Sequence, residues 1–159
     1  MSSIAHPRQP SPRQYFLNTS ISILVSHRDS EDGVAVIDHH APFGDSPPLH
    51  FHRNEDETFV ILSGTVRFEV GGKIRVLTAS EAIVVPKGVP HSFRVESVDG
   101  ARFLTATRGP DFEGLVRMAA RPADSDALPA PMTVTPEMAE ALASLCAANG
   151  IDVVGPPLA

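Results

Sequence analysis

The sequence predicts an all-β domain, an antiparallel barrel or sandwich followed by a C-terminal helix. Short runs rich in β-branched and aromatic residues recur at even spacing, and turn-forming stretches such as GGK, PKGVP and SVDG separate them. In one run Val66, Phe68 and Val70 share a face while Arg67 and Glu69 share the other, as in a half-buried strand. The 15 prolines and 11 glycines lie mainly at the chain ends and in turns, which favours strands joined by tight loops.

Nine runs fit strands, and they follow one another from residue 16 to residue 107. Their approximate bounds are 16–25, 33–38, a strand restarting at 49, 57–62, 65–70, 74–77, 81–85, 91–95 and 101–107. The run TFVIL at 58–62 is apolar on both faces, so its outer face needs cover from another strand, the C-terminal helix or a second subunit. We predict a homodimer as that cover.

Beyond residue 108 the pattern becomes helical. The segment 111–120 is ambiguous, but Thr135 followed by Pro136 is typical of a helix N-cap with proline at the first helical position, and the helix should end at Gly150. Met138, Leu142 and Leu145 form an apolar stripe, which we expect to pack on the barrel rather than bind a ligand.

Length and composition indicate one globular domain. A chain of 159 residues, 42% hydrophobic and 20% charged, can enclose one core but not two. We divide it into a flexible, proline-rich tail over 1–14, a barrel over 15–108, and a linker with a helix packing on the barrel over 109–159.

Charge and hydropathy exclude several kinds of partner. The net charge is −6 and the 13 basic residues are scattered singly, which disfavours nucleic acid. We find no secretory signal, and no apolar stretch approaches the roughly 20 residues that cross a bilayer, so we expect a cytoplasmic protein without a membrane partner. Cys146 is the only cysteine, so any bound metal must have nitrogen and oxygen ligands.

The segment 44–64, GDSPPLHFHRNEDETFVILSG, contains candidate metal ligands. His50 and His52 are two residues apart near a strand end, so their side chains point to the same side. After a turn at 53–56, Glu57 opens the next strand and would lie opposite them across a hairpin. His91 starts a later strand after a Pro and Gly turn and should point inward.

Three imidazoles and one carboxylate suit Fe, Mn, Ni, Co, Cu or Zn better than Ca or Mg, which prefer oxygen ligands. We therefore predict one divalent transition metal ion, held on His50, His52, Glu57 and His91. An octahedral ion would keep two positions open, a geometry typical of catalytic sites. Single histidines are more often surface or capping residues, so we leave out His6, His27, His39 and His40. Glu55 and Asp56 are alternative carboxylates, but strand parity and motif spacing favour Glu57.

These residues resemble those of the cupin superfamily. The first cupin motif, G(x)5HxH(x)4E(x)6G, is matched at every position, by Gly44, His50, His52, Glu57 and Gly64. The second motif, G(x)5PxG(x)2H(x)3N, is matched by Pro86, Gly88 and His91, while Ser80 and Val95 replace its first glycine and its asparagine. The resemblance implies a double-stranded β-helix, or jelly-roll, barrel, and the chain is similar to small single-domain cupins of the quercetin 2,3-dioxygenase-like kind.

The same resemblance implies a metal-dependent dioxygenase acting on a small aromatic or enolisable substrate. Glu57 would then double as metal ligand and catalytic general base. Phe59, Phe68 and Phe93 are aromatic residues that could line the substrate pocket. Two alternatives stay open, a non-catalytic cupin that binds or senses a small molecule and a metal-dependent isomerase. The ligand set does not identify the metal.

Overall fold

The computed structural model describes residues 7–159, so His6 and the rest of residues 1–6 of the predicted tail lie outside the described residues. Two helices, α1 (Asp111–Ala119) and α2 (Pro136–Ala148), follow most of the strands. The strands are β1 Gln14–Phe16, β2 Thr19–Val25, β3 Val34–Ala41, β4 Pro48–His52, β5 Glu57–Ser63, β6 Val66–Val70, β7 Lys73–Leu77, β8 Ala82–Val85, β9 His91–Val95, β10 Ala101–Arg108, β11 Arg121–Pro122 and β12 Ile151–Pro157.

The strands form two antiparallel sheets. The large sheet has the order β11-β1-β2-β3-β10-β5-β8, and the small sheet has the order β12-β4-β9-β6-β7. From β4 to β10 the chain passes repeatedly between the two sheets, as in a jelly roll. The predicted all-β jelly-roll barrel with a C-terminal helix is therefore confirmed.

The main core lies between the two sheets. Phe59 and Phe103 from the large sheet meet Phe68 from the small sheet, and all three are at most 2% exposed. Full burial of each such side chain contributes about 1.5–3 kcal/mol. The predicted alternation in β6 is confirmed, because Val66 and Phe68 are buried.

Three local features differ from the predicted elements or add to them. The run 16–25 is not one strand, because Leu17 adopts φ 54° and turns β1 back onto β2. The strand β12 was not foreseen in IDVVGPP, and it pairs with β4 at the edge of the small sheet, where prolines are tolerated. Ser80 adopts φ 73°, so the second-motif turn forms without the glycine.

Residues 11–13 pack on the barrel. The Ser11 amide donates to the Ile23 carbonyl at 2.9 Å, and the Arg13 guanidinium pairs with the buried carboxylate of Asp38. The predicted division into a flexible tail over 1–14, a barrel over 15–108 and a C-terminal region over 109–159 remains a prediction.

The outer face of β5 is partly open to solvent. Val60 is half-buried, Leu62 is 44% exposed, and Val84 on the neighbouring β8 is 59% exposed. The helices pack elsewhere, with α2 lying along β12 and against α1. The homodimer therefore stays a prediction. Over residues 7–159, neither helix has the length and apolar character that crossing a membrane requires.

Candidate metal centre and its cavity

Three of the predicted ligands lie on the inner face of the small sheet. His50 on β4 stands directly opposite His91 on β9, and their ring centroids are 4.4 Å apart. His52 follows two residues after His50 on the same side of β4, and its ring centroid lies 5.4 Å from that of His91. The strand period and the β4–β9 register thus bring three imidazoles together.

The fourth predicted ligand, Glu57, comes from the large sheet. Its strand β5 pairs with β10 and β8, not with β4, so the expectation that Glu57 faces the histidines across a hairpin is wrong. The connection at 53–56 carries the chain from one sheet to the other. Glu57 Oε2 lies 3.0 Å from His91 Nε2 and 3.3 Å from His52 Nε2 across the barrel interior.

The four side chains form a compact donor set. One nitrogen or oxygen atom from each of His50, His52, Glu57 and His91 lies within 4.8 Å of the others. His50 Nδ1 is 2.7 Å from the Pro48 carbonyl oxygen, and His91 Nδ1 is 3.0 Å from the Val89 carbonyl oxygen. Because a carbonyl only accepts, Nδ1 of each ring carries a hydrogen, so Nε2 is the nitrogen that would bind a metal ion; in His91 it lies 3.0 Å from Glu57 Oε2.

His52 supports the fit of a metal ion to this site. Its side chain is 2% exposed, and neither ring nitrogen makes a hydrogen bond of acceptable geometry among the described residues. Leaving buried polar nitrogens without a partner costs free energy. A cation bound at Nε2 would satisfy one of them, so the donor set and its burial fit a divalent transition metal.

The charges within the site are strongly coupled. Burial lowers the pKa of His50 to about 4. Burial also opposes the charge on His52, but the carboxylates of Glu57 and Glu55 outweigh it and raise the pKa of His52 to about 10. Burial likewise opposes the charge on Glu57, yet the neighbouring imidazoles hold its pKa well below the usual range. A bound cation would offset the same carboxylate charges.

Glu55 connects this centre to helix α1. Its carboxylate is 2% exposed and accepts hydrogen bonds from the amides of Asp111, at 2.7 Å, and Phe112, at 3.1 Å. The same carboxylate lies 3.9 Å from His52 Nδ1. Gly109 makes room for it, since a Cβ there would lie 2.6 Å from Glu55 Oε1. Glu55, weighed from sequence only as an alternative ligand, lies behind His52 and caps the helix instead.

A cavity of about 420 Å³ adjoins the ligands His50 and Glu57. Its wall is mainly aromatic and aliphatic and includes Phe16, Phe59, Phe93, Phe103 and Phe112. Of the three predicted pocket residues, Phe59 and Phe93 line it. Phe68 does not, because it packs behind them with ring centroids 5.0 and 5.9 Å away.

The C-terminal segment supplies one wall of the cavity. Leu142 and Cys146 of α2 line it together with Ile151 and Val153 of β12. Leu142, which we expected only to pack on the barrel, packs there and also lines the cavity. The predicted helix start is confirmed, since the Thr135 hydroxyl caps the Met138 amide. Burial raises the pKa of the Cys146 thiol to about 11, in keeping with a packing role.

Sequence reasoning missed the polar residues of the cavity. His39, which we left out of the site, and Thr105 line the wall and are 5% and 2% exposed. Asp45 also lines it, and burial raises the pKa of its carboxyl. Strand parity could have revealed His39, because it follows Ile37 on the inner face of β3 while His40 faces outward.

Together, the fold and the donor set define a small jelly-roll barrel with a candidate mononuclear metal site. Residues 39–107 match the family model of the cupin domain. This part of the chain is a cupin domain.

Two relatives share part of this domain. The chain is 26% identical over 85 residues to quercetin 2,3-dioxygenase of Bacillus subtilis (strain 168), covering 54% of this chain and 25% of that protein. It is 35% identical over 66 residues to mannose-1-phosphate guanylyltransferase 2 of Escherichia coli O157:H7, covering 42% of this chain and 14% of that protein. The chain thus spans a quarter or less of the relatives it matches.

Solved structures share the fold. A predicted oxalate decarboxylase from Thermotoga maritima superposes with a TM-score of 0.56 at 21% identity, covering 67% of this chain and 98% of that one. KdgF from Halomonas sp. gives a TM-score of 0.53 at 18% identity, with 60% and 84% covered. The cupin domain of Schizosaccharomyces pombe Cnp3 gives 0.52 at 18%, with 64% and 72% covered.

Proposed function

We propose that the protein is a metal-dependent dioxygenase acting on a small aromatic or enolisable substrate. The observation that carries this proposal is the aromatic cavity of about 420 Å³ that begins at His50 and Glu57. A cavity of this size and lining suits an apolar ring compound whose oxygen would reach the metal ligands. The partial similarity to quercetin 2,3-dioxygenase supports the same class of reaction.

The chain's own residues would divide the work in the following way. His50, His52, His91 and Glu57 would hold the ion, which would supply Lewis acidity and, if redox-active, a path for electrons between the substrate and dioxygen. The Glu57 carboxylate faces the cavity and could accept the proton of an enol or phenol hydroxyl. The phenylalanines would orient the substrate ring and exclude water.

Oxygen consumption tests this proposal. The protein is loaded with Fe, Mn, Ni, Co or Cu in turn, the bound metal is quantified, and each form is assayed with a flavonol and with a smaller enol. We expect turnover with at least one metal, loss of turnover in His50→Ala, and unchanged turnover in His40→Ala, whose side chain faces away from the cavity. Absence of oxygen consumption by protein carrying one equivalent of each metal would refute dioxygenase activity on these substrates.

One alternative makes a different prediction in the same assay, and the other is disfavoured by the cavity wall. A non-catalytic binding cupin would bind the ring compounds without consuming oxygen. A metal-dependent isomerase of sugars would need several polar groups around its substrate, and the mainly apolar wall does not favour that function.

A further inference from the structure

His39 is a buried imidazole in the cavity wall, beside Thr105 and two phenylalanine rings. Its ring is nearly parallel to those of Phe103 and Phe112, at interplanar angles of 11° and 13° and centroid distances of 4.8 and 6.0 Å. The side chain is fixed by these rings and by Thr105, whose Oγ1 lies 2.9 Å from His39 Nε2. Packing alone does not require an imidazole here, since burying its polar nitrogens has a desolvation cost.

The second ring nitrogen of His39 is free to bind a ligand. Within residues 7–159, Nδ1 has no hydrogen-bond partner, and the buried side-chain nitrogen and oxygen atoms that lack a partner are only the two His52 nitrogens and Thr107 Oγ1. Nδ1 is therefore accessible, and the residue lines the cavity. Thr105 can donate to Nε2 or accept from it, so Nδ1 can act as an acceptor or a donor.

From this geometry we propose that His39 is a second polar anchor of the cavity, binding a hydroxyl or carbonyl oxygen of the ligand through Nδ1. The ligand class is then an apolar ring compound with two oxygen functions, one at the metal ligands and one at His39. His39 is a substrate-positioning residue, held in place by Thr105. This inference rests on the proposed function for the first oxygen, whereas the second contact depends on residues of β3, β10 and α1 and not on the metal ligands.

A neutral ring suits such a contact. Burial lowers the pKa of His39 to about 4, so the imidazole carries no charge near neutral pH. A neutral imidazole pairs well with a hydroxyl or carbonyl group, whereas a carboxylate would favour the charged ring.

Two fluorescent probes of nearly equal shape, 2-naphthol and 2-methylnaphthalene, test the anchor. Their affinities are measured by fluorescence titration for the purified protein and for His39→Leu, after metal content has been matched by elemental analysis. We expect His39→Leu to weaken 2-naphthol about tenfold and to leave 2-methylnaphthalene unchanged. His40→Leu, the neighbouring histidine outside the cavity, should change neither affinity.

A second variant covers the case in which His39→Leu does not fold. Thr105→Val removes only the hydroxyl that holds Nε2, and we expect a smaller but selective loss of 2-naphthol affinity. The ¹⁵N chemical shift of His39 Nδ1 in the unmodified protein should also move on addition of 2-naphthol and not of 2-methylnaphthalene.

Several outcomes would overturn the anchor. They are an equal loss for both probes, no loss for either in His39→Leu, and failure of the unmodified protein to bind 2-naphthol. Selective, His39-dependent binding without oxygen consumption would instead uphold the anchor and refute the dioxygenase. Oxygen consumption with a KM unaffected by His39→Leu would uphold the dioxygenase and refute the anchor.

Discussion

The cupin domain at 39–107 and the C-terminal segment at 109–159 contribute to the cavity in different ways. The domain supplies every candidate metal ligand, and each of them stands on a barrel strand whose neighbours are fixed by sheet hydrogen bonds. The segment supplies apolar wall from α2 and β12. The domain thus contains all four candidate ligands together with part of the cavity wall, and the segment adds a further apolar part of that wall.

The two regions nevertheless contact each other beside the candidate ligands. β12 pairs with β4, placing Ile151 opposite His52 and Val153 opposite His50. Glu55, between the ligands His52 and Glu57, caps the start of α1. The candidate metal centre is thus supported by a segment that lies outside the cupin family match.

The largest expected effect is on metal binding and lies within the domain. Replacing both His50 and His52 with alanine removes two of four ligands, so the bound metal should fall from about one equivalent to none. Elemental analysis of protein purified without chelator measures it, with His40→Ala as the control. Retention of one equivalent in the double variant would mean that the ion binds elsewhere.

A core change in the C-terminal segment should affect stability but not metal content. Ile151→Ala removes a side chain that is 2% exposed and packs with Leu115 and Cys146, and we expect a loss of about 2–5 kcal/mol in the free energy of unfolding. Urea denaturation measures it. Val154→Ala on the same strand, 50% exposed, should cost far less. Loss of the metal in Ile151→Ala would show that the segment also determines ion binding.

Acid should weaken the attachment of α1 through Glu113. Burial opposes its charge, but hydrogen bonds from the His27 amide, the Ser26 hydroxyl and Arg117 outweigh this and lower its pKa to about 2. A lowered carboxyl pKa stabilises the fold above the unfolded-state value, and that contribution disappears as the pH falls from about 4.5 to 2.

The variant Glu113→Gln isolates this contribution. It should be less stable than the unmodified protein by on the order of 3 kcal/mol at pH 7, with the difference shrinking toward pH 2. Denaturant unfolding across this pH range measures it, and exposed Glu140→Gln is the control. A stability difference between the two proteins that does not change with pH would refute the lowered pKa of Glu113.

The smallest expected effect concerns the link between the two regions. Glu55→Gln keeps the shape but removes the charge beside His52 Nδ1, so metal affinity should fall by roughly 10–100-fold while the stoichiometry at saturation stays the same. Competition with a metal chelator measures it. Asp56→Asn, the exposed neighbour, should leave metal affinity unchanged, and an equal loss in both variants would point to general loosening of the 53–56 connection.

The sequence by itself determined the strand pattern, the family motifs and which four side chains could form a donor set. Period-two alternation decides which face of a strand is buried, and this held for β6 and for the pair His50 and His52. The same rule, applied to Asp38, His39 and His40, would have placed the His39 side chain on the inner face of β3. Local capping chemistry likewise determined the start of α2 at Thr135 and Pro136.

Only the tertiary structure decided which strands are neighbours. Glu57 meets the histidines from the opposite sheet, because β4 and β5 do not pair. Alternation also could not tell that Phe68 lies behind Phe59 and Phe93 instead of lining the cavity. The strand β12 and the role of Glu55 depend on contacts between residues about 55 to 100 positions apart, for which the sequence has no local signal.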